Sequence, residues 1–208
     1  MTGDAREVVL ARVRAALGPA PAAPPAIPRA YRQAGRAADH DALVEHFCAR
    51  VAEYRARVHR ASEDSLDDVV AGLLAGRRVL VPAAPPCAVH GCEAIGDDPP
   101  LTPRELDVAD ATLTGCALAV AETGTIVLDG SPVCGRRALT LVPDHHVCVV
   151  RAEQIVAHVP DAIAALGRRD ATRRPITLVS GPSATSDIEL ERVEGVHGPR
   201  VLDVVVVG

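Results

Sequence analysis

Between Ala117 and Leu128 the chain reads A-L-A-V-A-E-T-G-T-I-V-L, two apolar runs interrupted by Glu122, Thr123, Gly124 and Thr125. A carboxylate set between buried strands needs a partner or a task. Gly124 suits a tight turn, which would present Glu122 at the end of a strand as a nucleophile or base, with Thr123, Gly124 and Thr125 as ligand contacts. Capping the turn, or pairing with an arginine, competes with that role. A second candidate runs from Gly181 to Asp187 and follows an apolar run. Ligands of open α/β sheets bind where strands end and helices begin, so Gly181, Ser183, Ala184, Thr185 and Asp187 would line an anion site there. The same residue types cap helices without any ligand. The third is Gly195-Val196-His197-Gly198-Pro199, where His197 could act as acid or base beside Gly198, or simply stabilise its loop. Cys87, His90 and Cys92 form a C-x-x-H-x-C arrangement that offers three soft metal ligands but no fourth, and it is read as no metal site.

Composition removes several alternatives. All 22 basic residues are arginine, which excludes a Schiff-base lysine and a phosphate-loop lysine. The net charge of -5 and the scarcity of aromatics (Tyr31, Phe47 and Tyr54) argue against a nucleic-acid partner. No apolar run is long enough to span a membrane, and the charged N-terminus does not read as a signal peptide, so a cytoplasmic protein is expected. In that compartment six cysteines do not imply disulfides, and Cys116 and Cys148 read as small core side chains. Neither G-x-S-x-G nor a dinucleotide fingerprint occurs.

The elements that must position these residues begin with a helix from Asp4 to Leu17, stopped by Gly18 and Pro19. Residues 1–18 form that N-terminal arm, residues 19–38 a proline-rich linker with prolines at 19, 21, 24, 25 and 28, and residues 39–208 the main domain. Leu43, Phe47, Val51, Tyr54 and Val58 keep helical spacing and predict one helix from Asp39 to Arg60. A helix capped by Ser65 and ending near Gly76 follows, then a buried strand at 77–81. Further strands are expected on both sides of Glu122, at 138–142, 147–150, 176–179 and 201–207. A helix is expected over 152–166, with Pro160 dividing it or starting a new turn. His145 and His146 read as one inward and one outward residue. Strands alternating with helices, several apolar throughout, give an α/β class with a largely parallel sheet between helices.

Four segments together resemble a known family: A-E-T-G-T at 121–125, R-A-L-T-L-V-P at 137–143, V-S-G-P-S-A-T-S-D-I-E at 179–189 and E-G-V-H-G-P at 194–199. In this order they are similar to the LUD domain of the lactate utilization protein C family (LutC, YkgG). The resemblance implies a fold like that of the NagB, RpiA and CoA-transferase group. It further implies a role in oxidising L-lactate to pyruvate, with no cofactor on this chain and iron–sulfur clusters on partner proteins. A small carboxylate ligand and self-association stay open. A catalytic role for Glu122 by analogy with CoA-transferases would rest on fold alone.

Overall fold

The computed structural model describes residues 5–18, 26–28, 30, 39–168, 174–182 and 198–208. The chain divides into two compact units, Met1–Arg32 and Gln33–Gly208. In the first, helix α1 (Ala5–Leu17) buries none of its residues, and Val8, Val9, Val13 and Leu17 are exposed on it.

The second unit is built on six strands in the order β1 (Arg57–Ala61), β10 (Val201–Val207), β7 (His145–Arg151), β4 (Ala111–Thr114), β2 (Arg78–Val81) and β3 (Glu93–Gly96). Every neighbouring pair is parallel. Burial of both faces explains why β7 and β10 are apolar almost throughout. On one face, helix α3 (Leu66–Leu74) lays Leu66, Val70 and Leu74 against Val79, Leu113, Val147 and Val205. On the other, Leu202, Val204 and Val206 meet helix α2 (His40–Glu53), through Phe47 and Val51, and a second sheet. That sheet has the order β8 (Ile155–Val156), β5 (Leu118–Val120), β6 (Thr125–Leu128) and β9 (Thr177–Val179). Helix α5 (Val159–Arg168) covers its remaining face through Ala162 and Leu166. A short helix, α4 (Pro103–Asp107), packs Leu106 against Leu80 and Leu139.

Five local readings are corrected. The expected helix over 39–60 stops at Glu53 and residues 57–61 form β1. Arg55 takes a positive φ of 65° that ends the helix, and parallel pairing with β10 outweighs the helical propensity of the segment. Residues 137–140 are a 3-10 turn rather than the start of a strand, closed by hydrogen bonds between Arg137 and Thr140. The helix over 152–166 divides into a 3-10 turn, β8 and α5, with Pro160 in the first turn of α5, where a missing N–H costs nothing. The Ser65 side chain does not cap α3 but closes a capping box with Ser62 one turn earlier. His145 and His146 are both buried, on opposite faces of β7. Cys116 and Cys148 lie in the core as expected.

Candidate functional site

The Glu122 turn joins β5 to β6 in an antiparallel hairpin, with Val120 opposite Thr125. Gly124 has a φ of 59°, and a Cβ there would stand 2.8 Å from the Arg50 carbonyl carbon and 2.9 Å from the Val51 nitrogen. Only glycine lets the turn press this closely on the end of α2. Gly181 does the same from β9: its φ is 82°, and a Cβ would meet Tyr54 Cβ at 2.6 Å. Hydroxyls join the two segments, Thr123 Oγ1 to Thr125 Oγ1 at 2.7 Å and Thr125 Oγ1 to Ser180 Oγ at 2.8 Å. Gly198 comes in beside them, its Cβ position 4.0 Å from the Pro182 carbonyl oxygen. The fold therefore gathers Thr123, Gly124, Thr125, Gly181 and Gly198 in one neighbourhood around the last turn of α2. Ser183, Ala184, Thr185, Asp187 and His197 lie outside the described residues.

Glu122 reaches a different partner. Its carboxylate is about one third exposed, and Oε2 stands 3.4 Å from His158 Nδ1, just before α5. Its backbone N–H donates to the Ala157 carbonyl at 3.1 Å. Both side chains are partly exposed, although His158 Nδ1 itself is buried and makes no hydrogen bond among the described residues; a carboxylate beside an imidazole has the components for proton transfer.

Two further arrangements escaped the sequence reading. The first is a cleft at the C-terminal edge of the parallel sheet. A cavity of about 690 Å³ is bounded by Val81 and Pro82 at the end of β2, Gly96 and Asp97 at the end of β3, and the loop 130–136 after β6. A smaller cavity of about 150 Å³ shares Gly130, Gly135, Arg136 and Arg174 with it and adds Arg137 and Thr140. Arg136 is fixed by Asp97, with Nε donating to Oδ2 at 2.5 Å and Nη2 to Oδ1 at 2.8 Å, and by the Leu101 carbonyl at 2.6 Å. Those bonds hold the Asp97 carboxyl below its ordinary pKa. The sequence signal was faint: G-R-R after a D-G-S-P turn, with Asp97 and Arg174 each nearly forty residues away.

The second lies at the opposite edge of the sheet. Asp203 is fully buried and accepts from His145 Nε2 at 2.6 Å, His59 Nε2 at 2.7 Å and Arg57 Nε at 2.8 Å, with Arg57 Nη2 on its second oxygen. Burial alone would push this carboxyl up, but the hydrogen bonds from His145, Arg57 and His59 outweigh it and hold the pKa well below the carboxylate range. Arg77 Nη1 lies 3.0 Å from His145 Nδ1, so His145 accepts from Arg77 and donates to Asp203. This network pins β1, β10 and β7 together.

Among the described residues no three His, Cys, Asp or Glu side chains gather as a metal site would require. Burial pushes the Cys87 thiol up to about 11 and raises Cys92 as well. Among the same residues no helix is long and apolar enough to cross a membrane.

Comparison with known proteins places this architecture. The LUD domain model matches residues 102–207. The chain belongs to the LUD domain family. The matched LUD region contains the Glu122 hairpin, the loop 130–136, β9 and β10, whereas α2, α3, β1, β2 and β3 precede it. Lactate utilization protein C of Deinococcus radiodurans is 50% identical over 169 residues, covering 80% of each chain. An uncharacterized protein of Neisseria meningitidis is 27% identical over 217 residues, 96% of this chain and 91% of its own. Uncharacterized protein YkgG of Escherichia coli is 33% identical over 115 residues, about half of either chain. A crystal structure of a DUF162 family protein from Deinococcus radiodurans superposes with a TM-score of 0.71 at 42% identity, covering 82% of this chain and 99% of that one.

Proposed function

We propose that this chain serves lactate utilization in the cytoplasm as a cluster-free subunit or accessory factor of a system that oxidises L-lactate to pyruvate. Partner proteins would carry the iron–sulfur clusters, and this chain would hold no cofactor of its own. Kinship carries the reading: half of the aligned residues are shared, over four fifths of both chains, with a protein named for lactate utilization. The test is genetic and biochemical together. Deleting the chain should abolish growth on L-lactate and spare growth on glucose, and the tagged chain should bring down iron–sulfur proteins from lactate-grown cells. Unimpaired growth on lactate, with no such partner recovered, overturns the proposal.

One observation favours a second reading, a stand-alone enzyme acting on a small carboxylate or acyl thioester: the partly exposed Glu122 carboxylate beside His158. Here Glu122 is the nucleophile or base, and His197 a second acid–base group. Glu122→Gln in the isolated chain should then lower turnover by about a hundredfold or more with folding intact. An isolated chain with no turnover to lose would leave the subunit role standing alone.

A further inference from the structure

The cleft at the C-terminal edge of the parallel sheet has the chemistry of a binding site, and neither the family match nor the hairpin around Glu122 accounts for it. Three guanidinium groups (Arg136, Arg137 and Arg174) line its two adjoining cavities against two carboxylates, Asp97 and Asp98. Asp97 is already engaged by Arg136. The fork of Arg136 is only partly used, because its bonds to Asp97 and Leu101 occupy Nε and Nη2. Among the described residues Nη1 of Arg136 makes no hydrogen bond, and neither does any nitrogen of Arg174, whose charge lies near enough to Asp129 to help lower that carboxyl's pKa. A guanidinium oriented by a carboxylate, with its outer N–H groups left over, is preorganised for a second carboxylate.

The remaining wall is apolar, formed by Pro82, Ala83, Pro85, Pro132 and Leu139. A volume of about 690 Å³ exceeds what a three-carbon acid fills. The mixture of cationic donors and apolar wall selects an anion with a carbon skeleton over a bare inorganic one. Position agrees, since the ends of parallel strands are where open α/β sheets hold their ligands.

We propose that Arg136 and Arg174 grip the carboxylate of an organic acid in this cleft, with the proline-lined wall packing against its carbon chain. The site is a property of the isolated chain and does not depend on the lactate role above.

Calorimetric titration of the full chain with L-lactate, hexanoate and inorganic phosphate tests it. At least one of the two carboxylates should bind, and phosphate should not displace it. Arg174→Gln should weaken binding about 10- to 100-fold, the weight of a hydrogen bond to a charged group. Arg174 is exposed and makes no hydrogen bond among the described residues, so this variant should fold as the parent does, as circular dichroism would verify. Failure of both carboxylates to bind, equal binding by the variant, or displacement by phosphate at equal concentration each overturns the assignment. A lactate-growth defect without carboxylate binding overturns this site while leaving the proposed role intact.

Discussion

Replacing Gly124 by alanine separates two reasons for a glycine. The first is conformational: φ at 59° lies in the left-handed region, which costs an L-residue about 1–2 kcal/mol. The second is contact. The new methyl carbon would sit 2.8 Å from one backbone atom of α2 and 2.9 Å from another, and neither can rotate away as a flexible side chain would. Overpacking of this kind costs a further ~1–3 kcal/mol. Gly76 provides the control, because its φ is 68° and nothing lies within 4 Å of its Cβ position. Gly76→Ala should therefore lose only the conformational part. For a chain of this size each kcal/mol moves Tm by roughly 2–4 °C, so Gly124→Ala should melt on the order of 10 °C below the parent and Gly76→Ala roughly 4 °C below. Thermal unfolding followed by circular dichroism reads both. Equal losses would refute the argument that Gly124 exists to seat the hairpin on α2.

The remaining predictions concern titratable groups. Asp203→Asn removes the charge that His145, His59 and Arg57 share, and should cost about 3 kcal/mol at neutral pH, the low end for a broken buried pair because Arg57 and His59 reach solvent. Urea unfolding checks it. Since the folded pKa of Asp203 is depressed, its contribution is complete above the unfolded value near ~4 and is lost as pH falls toward the folded value. The parent's urea midpoint should accordingly drop below about pH 4 more steeply than the variant's, and parallel curves would contradict the network. Cys87, raised to about 11 by burial and then by Asp67, should alkylate far more slowly than a free thiol when native protein meets iodoacetamide at mildly alkaline pH. Peptide mass spectrometry reports this, and labelling at the free-thiol rate would contradict it.

What could be read in advance followed the strength of each local signal. The strands around Glu122 and at 145–151, 177–179 and 201–207 are dense in Val, Ile and Leu, and were legible for that reason. β4, A-T-L-T, is wholly buried, yet two of its four residues are threonines that dilute any apolar count, and Thr112 satisfies its hydroxyl on the Leu80 carbonyl. β1 carries two arginines and a histidine in five residues, and only its pairing with β10 makes it a strand. The two glycines that seat β6 and β9 on α2 could be named from sequence, but not the helix they meet. The arginine cleft was invisible because Asp97, Arg136 and Arg174 share no local pattern and become neighbours only when loops from β2, β3 and β6 converge.

The place of β10 bears on how the molecule is made. It lies between β1 and β7, so β1 has no neighbour in the sheet until residues 201–207 exist, and the Arg57–Asp203 contact closes a separation of 146 residues. Long-range parallel pairing is slow to form, and this one cannot begin while the strand is still inside the ribosome. The nascent chain must therefore wait with a valine-lined furrow open between β1 and β7. Termination just before Val201 would leave that furrow permanently bare and turn the product into a substrate for chaperones and proteases.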